Sequence, residues 1–312
     1  MRVFVTGVCG QLGHDVVNEL LKRGHEAVGS DIQPEYAGVQ DGSAVVSAPY
    51  VSMDITDEGN VLKTIKEYNP DAVIHCAAWT NVDGAEAPEN AEKVHAINAD
   101  GTANIAKAVK AVDAKMIYIS TDYVFDGQGE RPWEPDDRCY APLNVYGQSK
   151  LDGELVVSSL LEKYFIVRIA WAFGLNGKNF IKTMLNVGKK YKTVRVVDDQ
   201  IGTPTYTLDL SRLLVDMIET SKYGYYHATN EGGFISWADF AEEIYAQAGM
   251  DTRVIPVSTV EYGLSKAVRP SNSRLDKAKL VENGFVPLPT WKDALSRFLK
   301  ENRVKDQGER DI

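Results

Sequence analysis

Three residues of the 312-residue chain have the types needed to move a proton onto a ketone: Thr121, Tyr146 and Lys150. Tyr146 and Lys150 are separated by one helical turn in Tyr146-Gly147-Gln148-Ser149-Lys150, so a helix would set phenol and ammonium on one face. A free phenol has a pKa of about 10 and is a poor acid at neutral pH. A neighbouring cation favours the phenolate, so Lys150 is expected to lower the pKa of Tyr146. Thr121, in Thr121-Asp122-Tyr123-Val124-Phe125, offers a hydroxyl that can hold a carbonyl oxygen within reach of that phenol. On its own, a Tyr-x-x-x-Lys spacing is more often a solvated surface pair, and the elements around it must decide.

Those elements follow a β-α rhythm. An apolar run at 3–6 leads into Gly7-x-x-Gly10-Gln11-Leu12-Gly13, and helical apolar spacing follows at Val16, Val17, Leu20 and Leu21. Strand, glycine turn and helix in this order suit a dinucleotide: the glycines let the backbone approach a pyrophosphate, and the helix N-terminus faces it. A second strand ends at Asp31, placed to accept hydrogen bonds from an adenosine ribose. Residues 32–36 contain no Lys or Arg to hold a 2′-phosphate, so the cofactor expected is NADH or NADPH, with NADH favoured. Asp54 and Ile55, near a short third strand, are placed to meet an adenine. A fourth strand at 71–76 runs into Ala77-Ala78, small residues that let a ligand lie close to a strand end.

Helical segments at 88–113, the second opened by Asn98, precede a fifth strand at 115–120. A helix at 144–161 carries Tyr146 and Lys150, and a sixth strand follows at 164–170. This predicts an α/β fold, a doubly wound parallel sheet of Rossmann type over residues 1–175. Residues 176–312 are expected to form mainly a smaller α/β substrate domain, with segments of about 193–230 returning to the first. Residues 33–50 are expected to form an exposed loop, and the tail from Lys305 to fray.

Apolar residues make up 44% of the chain, enough for a large core. The net charge is −10 with no basic tract, which speaks against nucleic acid or an anionic membrane as partner. Cys9, Cys76 and Cys139 form no C-x-x-C pair, and the five histidines show no H-E-x-x-H spacing, so neither a disulfide framework nor a metal site is expected. The opening apolar stretch is too short for a signal h-region and no run of 18 apolar residues occurs, so no leader and a cytoplasmic location are expected.

With these pieces together the chain resembles the extended short-chain dehydrogenase/reductases, and within them the dTDP-4-dehydrorhamnose reductase family. The residues that carry this are Thr6-Gly7-x-x-Gly10-Gln11-Leu12-Gly13, Ala77-Ala78-x-Thr80-x-Val82-Asp83, Ser120-Thr121-Asp122-Tyr123-Val124-Phe125 and Tyr146-Gly147-x-x-Lys150. Further along stand Asn179-Phe180-x-Lys182-Thr183-Met184-Leu185, Asp199-Gln200-x-Gly202-x-Pro204-Thr205 and Arg269-Pro270-x-Asn272-Ser273-Arg274-Leu275. They span nearly the whole chain. The resemblance implies reduction of the C4 ketone of a dTDP-linked deoxy-keto sugar by NAD(P)H, serving polysaccharide biosynthesis.

By the same resemblance Tyr146 is the proton donor, Lys150 also holds the nicotinamide ribose, and Thr121 orients the ketone. Thr80, Val82 and Tyr123 would line the sugar pocket. Trp171, Asn179, Phe180, Gln200 and Arg269 would face the nucleotide-sugar, with Arg269 suited to its diphosphate. Trp79 stands where relatives carry His or Tyr, and its side chain is given no role. A homodimer is one assembly the family allows.

Two other classes stay open on sequence: a nucleotide-sugar epimerase or dehydratase of the same fold, and a non-catalytic dinucleotide-binding subunit resembling the regulatory subunit of methionine adenosyltransferase. Dehydratases carry an Asp-Glu pair after the Thr; here Asp122-Tyr123 follows Thr121.

Overall fold

The computed structural model describes residues 1–308, those beyond 302 as helix backbone only. Seven parallel strands form the main sheet. β1 (Arg2–Thr6), β2 (Glu26–Asp31), β3 (Tyr50–Ser52), β4 (Ala72–His75), β5 (Lys115–Thr121) and β6 (Tyr164–Ile169) are joined at one edge by the strand Gly224–His227. From that edge the order is Gly224–His227, β6, β5, β4, β1, β2, β3. The chain runs outward from β1 in one direction and from β4 in the other. A doubly wound sheet opens a crevice at this reversal, beyond the carboxyl ends of its strands.

The central strands are apolar on both faces because helices cover both. On one side Val16, Val17 and Leu20 of the helix Gln11–Lys22 pack against Leu210, Leu213, Leu214 and Met217 of the helix Thr207–Ile218. On the other side Val61, Ile65, Ile105, Val109 and Val157 cover Phe4, Val73 and Met116. Such two-sided burial gives near-continuous apolar runs instead of alternation.

A second apolar cluster gathers Phe173, Ile181, Met184, Tyr206, Phe240, Ile244, Trp291, Leu295 and Phe298. It is built on the helices Phe180–Gly188, Trp237–Ala248 and Trp291–Gly308. Within the stretch 193–230 the pieces divide. Thr193–Val197 pairs in parallel with Arg253–Val257 in a small sheet of its own, while Gly224–His227 extends the main sheet.

Three local expectations change. Residues 33–50 are not a featureless loop: Ala44–Ser47 is a helical turn whose Val45 enters the core, and the Tyr36 hydroxyl pairs with His14 Nδ1 at 2.6 Å. Asn98 does not open a helix but lies inside the π-helical turn Ala96–Asp100, where its side chain spans to a neighbouring loop. The last helix runs on through Lys305 to Gly308, and the rest of the expected frayed tail lies outside the described residues.

Candidate active site

The glycine turn is forced by space. Gly7 has φ 72°, and a Cβ there would lie 2.6 Å from the Ala77 amide nitrogen. A Cβ on Gly13 would lie 2.3 Å from the Gly7 carbonyl oxygen. Gly10 caps the helix Gln11–Lys22 without a side chain, and a Cβ there would meet only the Gly7 carbonyl oxygen. The first amides of that helix therefore face an open crevice, the arrangement that binds phosphate. Asp31, at the end of β2, accepts from the Cys9 amide at 3.0 Å and the Ile32 amide at 2.8 Å, which fixes its carboxylate beside the turn.

The helix Val145–Leu160 is aimed by its start. Asn144 caps it, Oδ1 accepting from the Gly147 amide at 2.7 Å. Gly147 is needed because a Cβ would sit 2.4 Å from the Tyr123 carbonyl oxygen. The helix thus packs against the turn that leaves β5, and Tyr146 and Lys150 enter the crevice together with Thr121. The Tyr146 ring meets the edge of Tyr123 with centroids 5.7 Å apart. Lys150 Nζ lies 4.1 Å from the centroid of the Tyr118 ring.

The electrostatics differ from the sequence expectation. Lys150 is only 3% exposed, and burial pulls its pKa down to about 7 against the opposing pull of Glu154. Tyr146 is not acidified. Burial raises its pKa well above that of a free phenol, the charge of Asp122 adds to this, and a hydrogen bond with Thr121 opposes it. The expectation missed that both groups leave water together: desolvation penalises the phenolate and the ammonium alike.

Thr121 Oγ1 donates to Asp122 Oδ1 at 2.8 Å and accepts from the Tyr123 amide at 3.2 Å. Asp122 is 2% exposed; burial pushes its carboxyl up to about 6, while Ser273 and Thr121 offset this in part.

One cavity of about 810 Å³ joins these parts. Gly7, Gly10, Gln11, Leu12, Gly13, Asp31, Asp54, Ile55, Ala77 and Ala78 line one end, and Thr80, Val82, Thr121, Tyr123, Tyr146, Lys150 and Trp171 line the other. Trp171 holds φ 51° and stacks on Trp237 with centroids 3.8 Å apart. A bulky residue in left-handed backbone is rare and is held only where its surroundings fix it.

Four expected residues do not line the cavity. Asn179 caps the helix Phe180–Gly188 and donates to Gln11 Oε1 at 3.0 Å. Phe180 packs on Trp237 at 4.6 Å, and Gln200 is buried with Nε2 donating to Thr259 Oγ1 at 3.0 Å. Arg269 is committed elsewhere: Nη2 donates to Asp83 Oδ2 at 2.7 Å and Nη1 to the Tyr123 hydroxyl at 3.2 Å. It reaches the cavity only through Tyr123.

Sequence reasoning missed Asp122, Ser120, Lys178 and Trp237 in the cavity wall. It also missed Asn98, whose side chain bonds the Trp79 amide at 2.8 Å, the Trp79 carbonyl at 3.1 Å and Ser149 Oγ at 2.9 Å. An Asn inside a helix is the signal that was available, since such side chains compete with the backbone for hydrogen bonds.

The model of the RmlD substrate binding domain family matches residues 1–304. The chain belongs to the RmlD family. Among its RmlD-like relatives, a dTDP-4-dehydrorhamnose reductase of Streptomyces griseus is 37% identical over 302 residues, covering 95% of this chain and 92% of its own. A spore coat polysaccharide biosynthesis protein, SpsK, of Bacillus subtilis is 35% identical over 300 residues, 96% and 97% of the two chains. A crystal structure of dTDP-4-dehydrorhamnose reductase from Bacillus anthracis in complex with NADP superposes with a TM-score of 0.86 at 40% identity, covering 96% of this chain and 99% of that one. In this RmlD-family chain no described helix is long and apolar enough to cross a membrane, and no group of three or more His, Cys, Asp or Glu among the described residues has a metal-holding arrangement.

Proposed function

We propose that the chain reduces the C4 ketone of dTDP-4-dehydro-L-rhamnose, with NADH or NADPH as reductant, to give dTDP-L-rhamnose. The observation that carries this reading is the convergence of Thr121, Tyr146 and Lys150 on the same cavity whose far wall is the glycine turn. The names of the relatives support the substrate class.

The dinucleotide, when bound, supplies the hydride. The open helix N-terminus behind Gly10 fits its pyrophosphate, Asp31 fits the adenosine ribose, and Ala77-Ala78 leave room beside β4. Tyr146, kept protonated by burial, gives its proton to the developing alkoxide at O4 of the sugar. Thr121 orients that oxygen. Lys150, in the same wall, holds the ribose hydroxyls of the nicotinamide and steadies the phenolate left after transfer. Trp171 stacked on Trp237, with Thr80 and Val82, encloses the sugar and keeps water from it. NADH is favoured over NADPH because a 2′-phosphate would meet the Asp31 carboxylate.

The test is direct. Protein, reduced nicotinamide and the keto sugar are mixed, and loss of reduced-nicotinamide absorbance is followed. Consumption in proportion to sugar is expected, with Tyr146→Phe slower by roughly 10²–10⁴-fold. No consumption by the wild type sinks the reductase reading; a wild-type rate in Tyr146→Phe removes the phenol as donor.

A further inference from the structure

The one proton of the Thr121 hydroxyl is committed before any substrate arrives. A threonine hydroxyl has one proton to give and two lone pairs to receive. The proton goes to Asp122 Oδ1 at 2.8 Å. One lone pair takes the Tyr123 amide at 3.2 Å. The Tyr146 hydroxyl lies close enough to Thr121 to feel it, and both side chains line the same cavity. With Asp122 ionised, Thr121 has nothing to donate to a ketone.

A neutral Asp122 reverses the chain. Its carboxyl O–H then donates to Thr121, which frees the Thr121 proton to join that of Tyr146. Both can then point at one carbonyl oxygen, which is what reduction with proton transfer needs. The counts balance: Thr121 then accepts two hydrogen bonds, from the Tyr123 amide and Asp122, and gives one.

We infer that Asp122 is a positioning residue whose proton sets the direction of the Thr121 hydrogen bond, so that Thr121 and Tyr146 both donate to the substrate ketone only when Asp122 is neutral. This rests on the reductase reading above. A second feature of the site points the same way. Asp122 Oδ2 is buried and has no partner in hydrogen-bond geometry, an arrangement that is costly for a carboxylate and mild for a carboxyl. Burial accordingly raises its proton affinity to a pKa of about 6. The groups facing it are Thr121 on β5, Tyr146 on the catalytic helix, Tyr123 on the intervening turn, and Ser273 on the segment after Arg269. Arg269, on the segment before Ser273, is held by Tyr123 and Asp83.

The experiment compares pH profiles of kcat/KM for wild type and Asp122→Asn, with NADH and the keto sugar. An Asn amide donates to Thr121 at every pH, as the neutral carboxyl does. Wild type is expected to lose activity by up to about tenfold per pH unit above the Asp122 ionisation, and Asp122→Asn to lack that limb. The later limb, from Lys150, stays in both. If Asp122→Asn fails to fold, Asp122→Ser, whose hydroxyl can also donate, replaces it. The proposal is overturned if the variant keeps the wild-type limb, or if it binds NADH but turns over at no pH. An infrared difference spectrum supplies a readout free of turnover. A protonated-carboxyl band is expected in the wild type near pH 5, lost on raising the pH to about 8 and absent from the variant. Lack of the band overturns the proposal whatever the activity, whereas a titrating band with no NADH oxidation in the wild type overturns only the reductase reading.

Discussion

Glu86 Oε1 accepts a hydrogen bond from the Val145 amide at 2.8 Å, so a carboxylate 59 positions upstream closes the first turn of the helix that presents Tyr146 and Lys150. That helix has no acidic residue of its own in its first turn. Glu86 supplies both an acceptor and a negative charge to the positive end of the dipole, beside the Asn144 cap. Glu86→Ala is expected to cost about 1 kcal/mol of stability and to lower kcat more than it raises KM, because the phenol is displaced while the cavity stays. Glu86→Gln keeps the acceptor and should recover most of the rate. Urea melts and steady-state kinetics check this; equal behaviour of Glu86→Ala and wild type removes the clamp.

Behind the same helix lies an ion pair out of contact with water. Arg168 Nε and Nη2 donate to the two oxygens of Glu154 at 2.8 and 2.7 Å, both side chains being 0% exposed. Arg168 also bonds the Pro135 carbonyl at 3.2 Å and the Tyr140 hydroxyl at 3.1 Å. Removing one partner strands a buried charge, so Arg168→Met should destabilise by about 3–5 kcal/mol. Replacing both partners, as Glu154→Leu with Arg168→Met, should cost less than Arg168→Met alone. Thermal melts of the single and double variants decide; strict additivity would remove the coupling.

Lys150 gives a pH dependence of stability whose sign follows from burial. Its pKa falls to about 7 in the folded protein against 10.5 when exposed. Between these values the unfolded chain binds more protons, so this group makes stability rise with pH through that window. Below about 7 the folded state carries the whole cost of the buried ammonium, and above about 10.5 neither state carries it. Lys150→Met should therefore raise Tm most at neutral pH and below, and the gain should fade toward pH 10, while turnover falls. A gain in Tm that is flat with pH would show that packing, not charge, is responsible.

The sheet and the glycine turn were legible because their signals are local. Two-sided burial writes continuous apolar runs, and a turn that brings Gly7 against Ala77 tolerates no Cβ. The Tyr146–Lys150 spacing and Thr121 at a strand end are also local, and all three line one cavity. What the sequence hid depends on which group is nearest in space. Arg269 reads as a phosphate cation by type, yet Asp83, 186 positions away, already holds it. Asn179 and Gln200 read as ligand groups, but they tie loops together from behind the wall. The direction of the Tyr146 shift was missed for a related reason: spacing shows the neighbouring cation but not the loss of water around both.

The NADH preference proposed above rests on the charge of Asp31 separately from its shape. The carboxylate does two things at once, holding the Cys9 amide of the glycine turn at 3.0 Å and lining the end of the cavity proposed for the adenosine. Asp31→Ala removes both, so the affinity for either dinucleotide should drop. Asp31→Asn keeps an oxygen acceptor for the Cys9 amide and discards only the charge. It should raise KM for NADH modestly and lower it for NADPH, because the repulsion of a 2′-phosphate is gone while one ribose acceptor is weakened. A shift of about tenfold in the ratio of the two kcat/KM values corresponds to about 1.4 kcal/mol, a reasonable size for one charge at a partly solvated site. The related Bacillus anthracis enzyme was crystallised with NADP, so the fold itself admits the phosphate. On the proposed reading, discrimination by this chain lies in side chains such as Asp31. Kinetics with both reduced cofactors on wild type, Asp31→Ala and Asp31→Asn settle the matter: an unchanged ratio in Asp31→Asn would take the Asp31 charge out of cofactor choice and leave it only the work of bracing the turn.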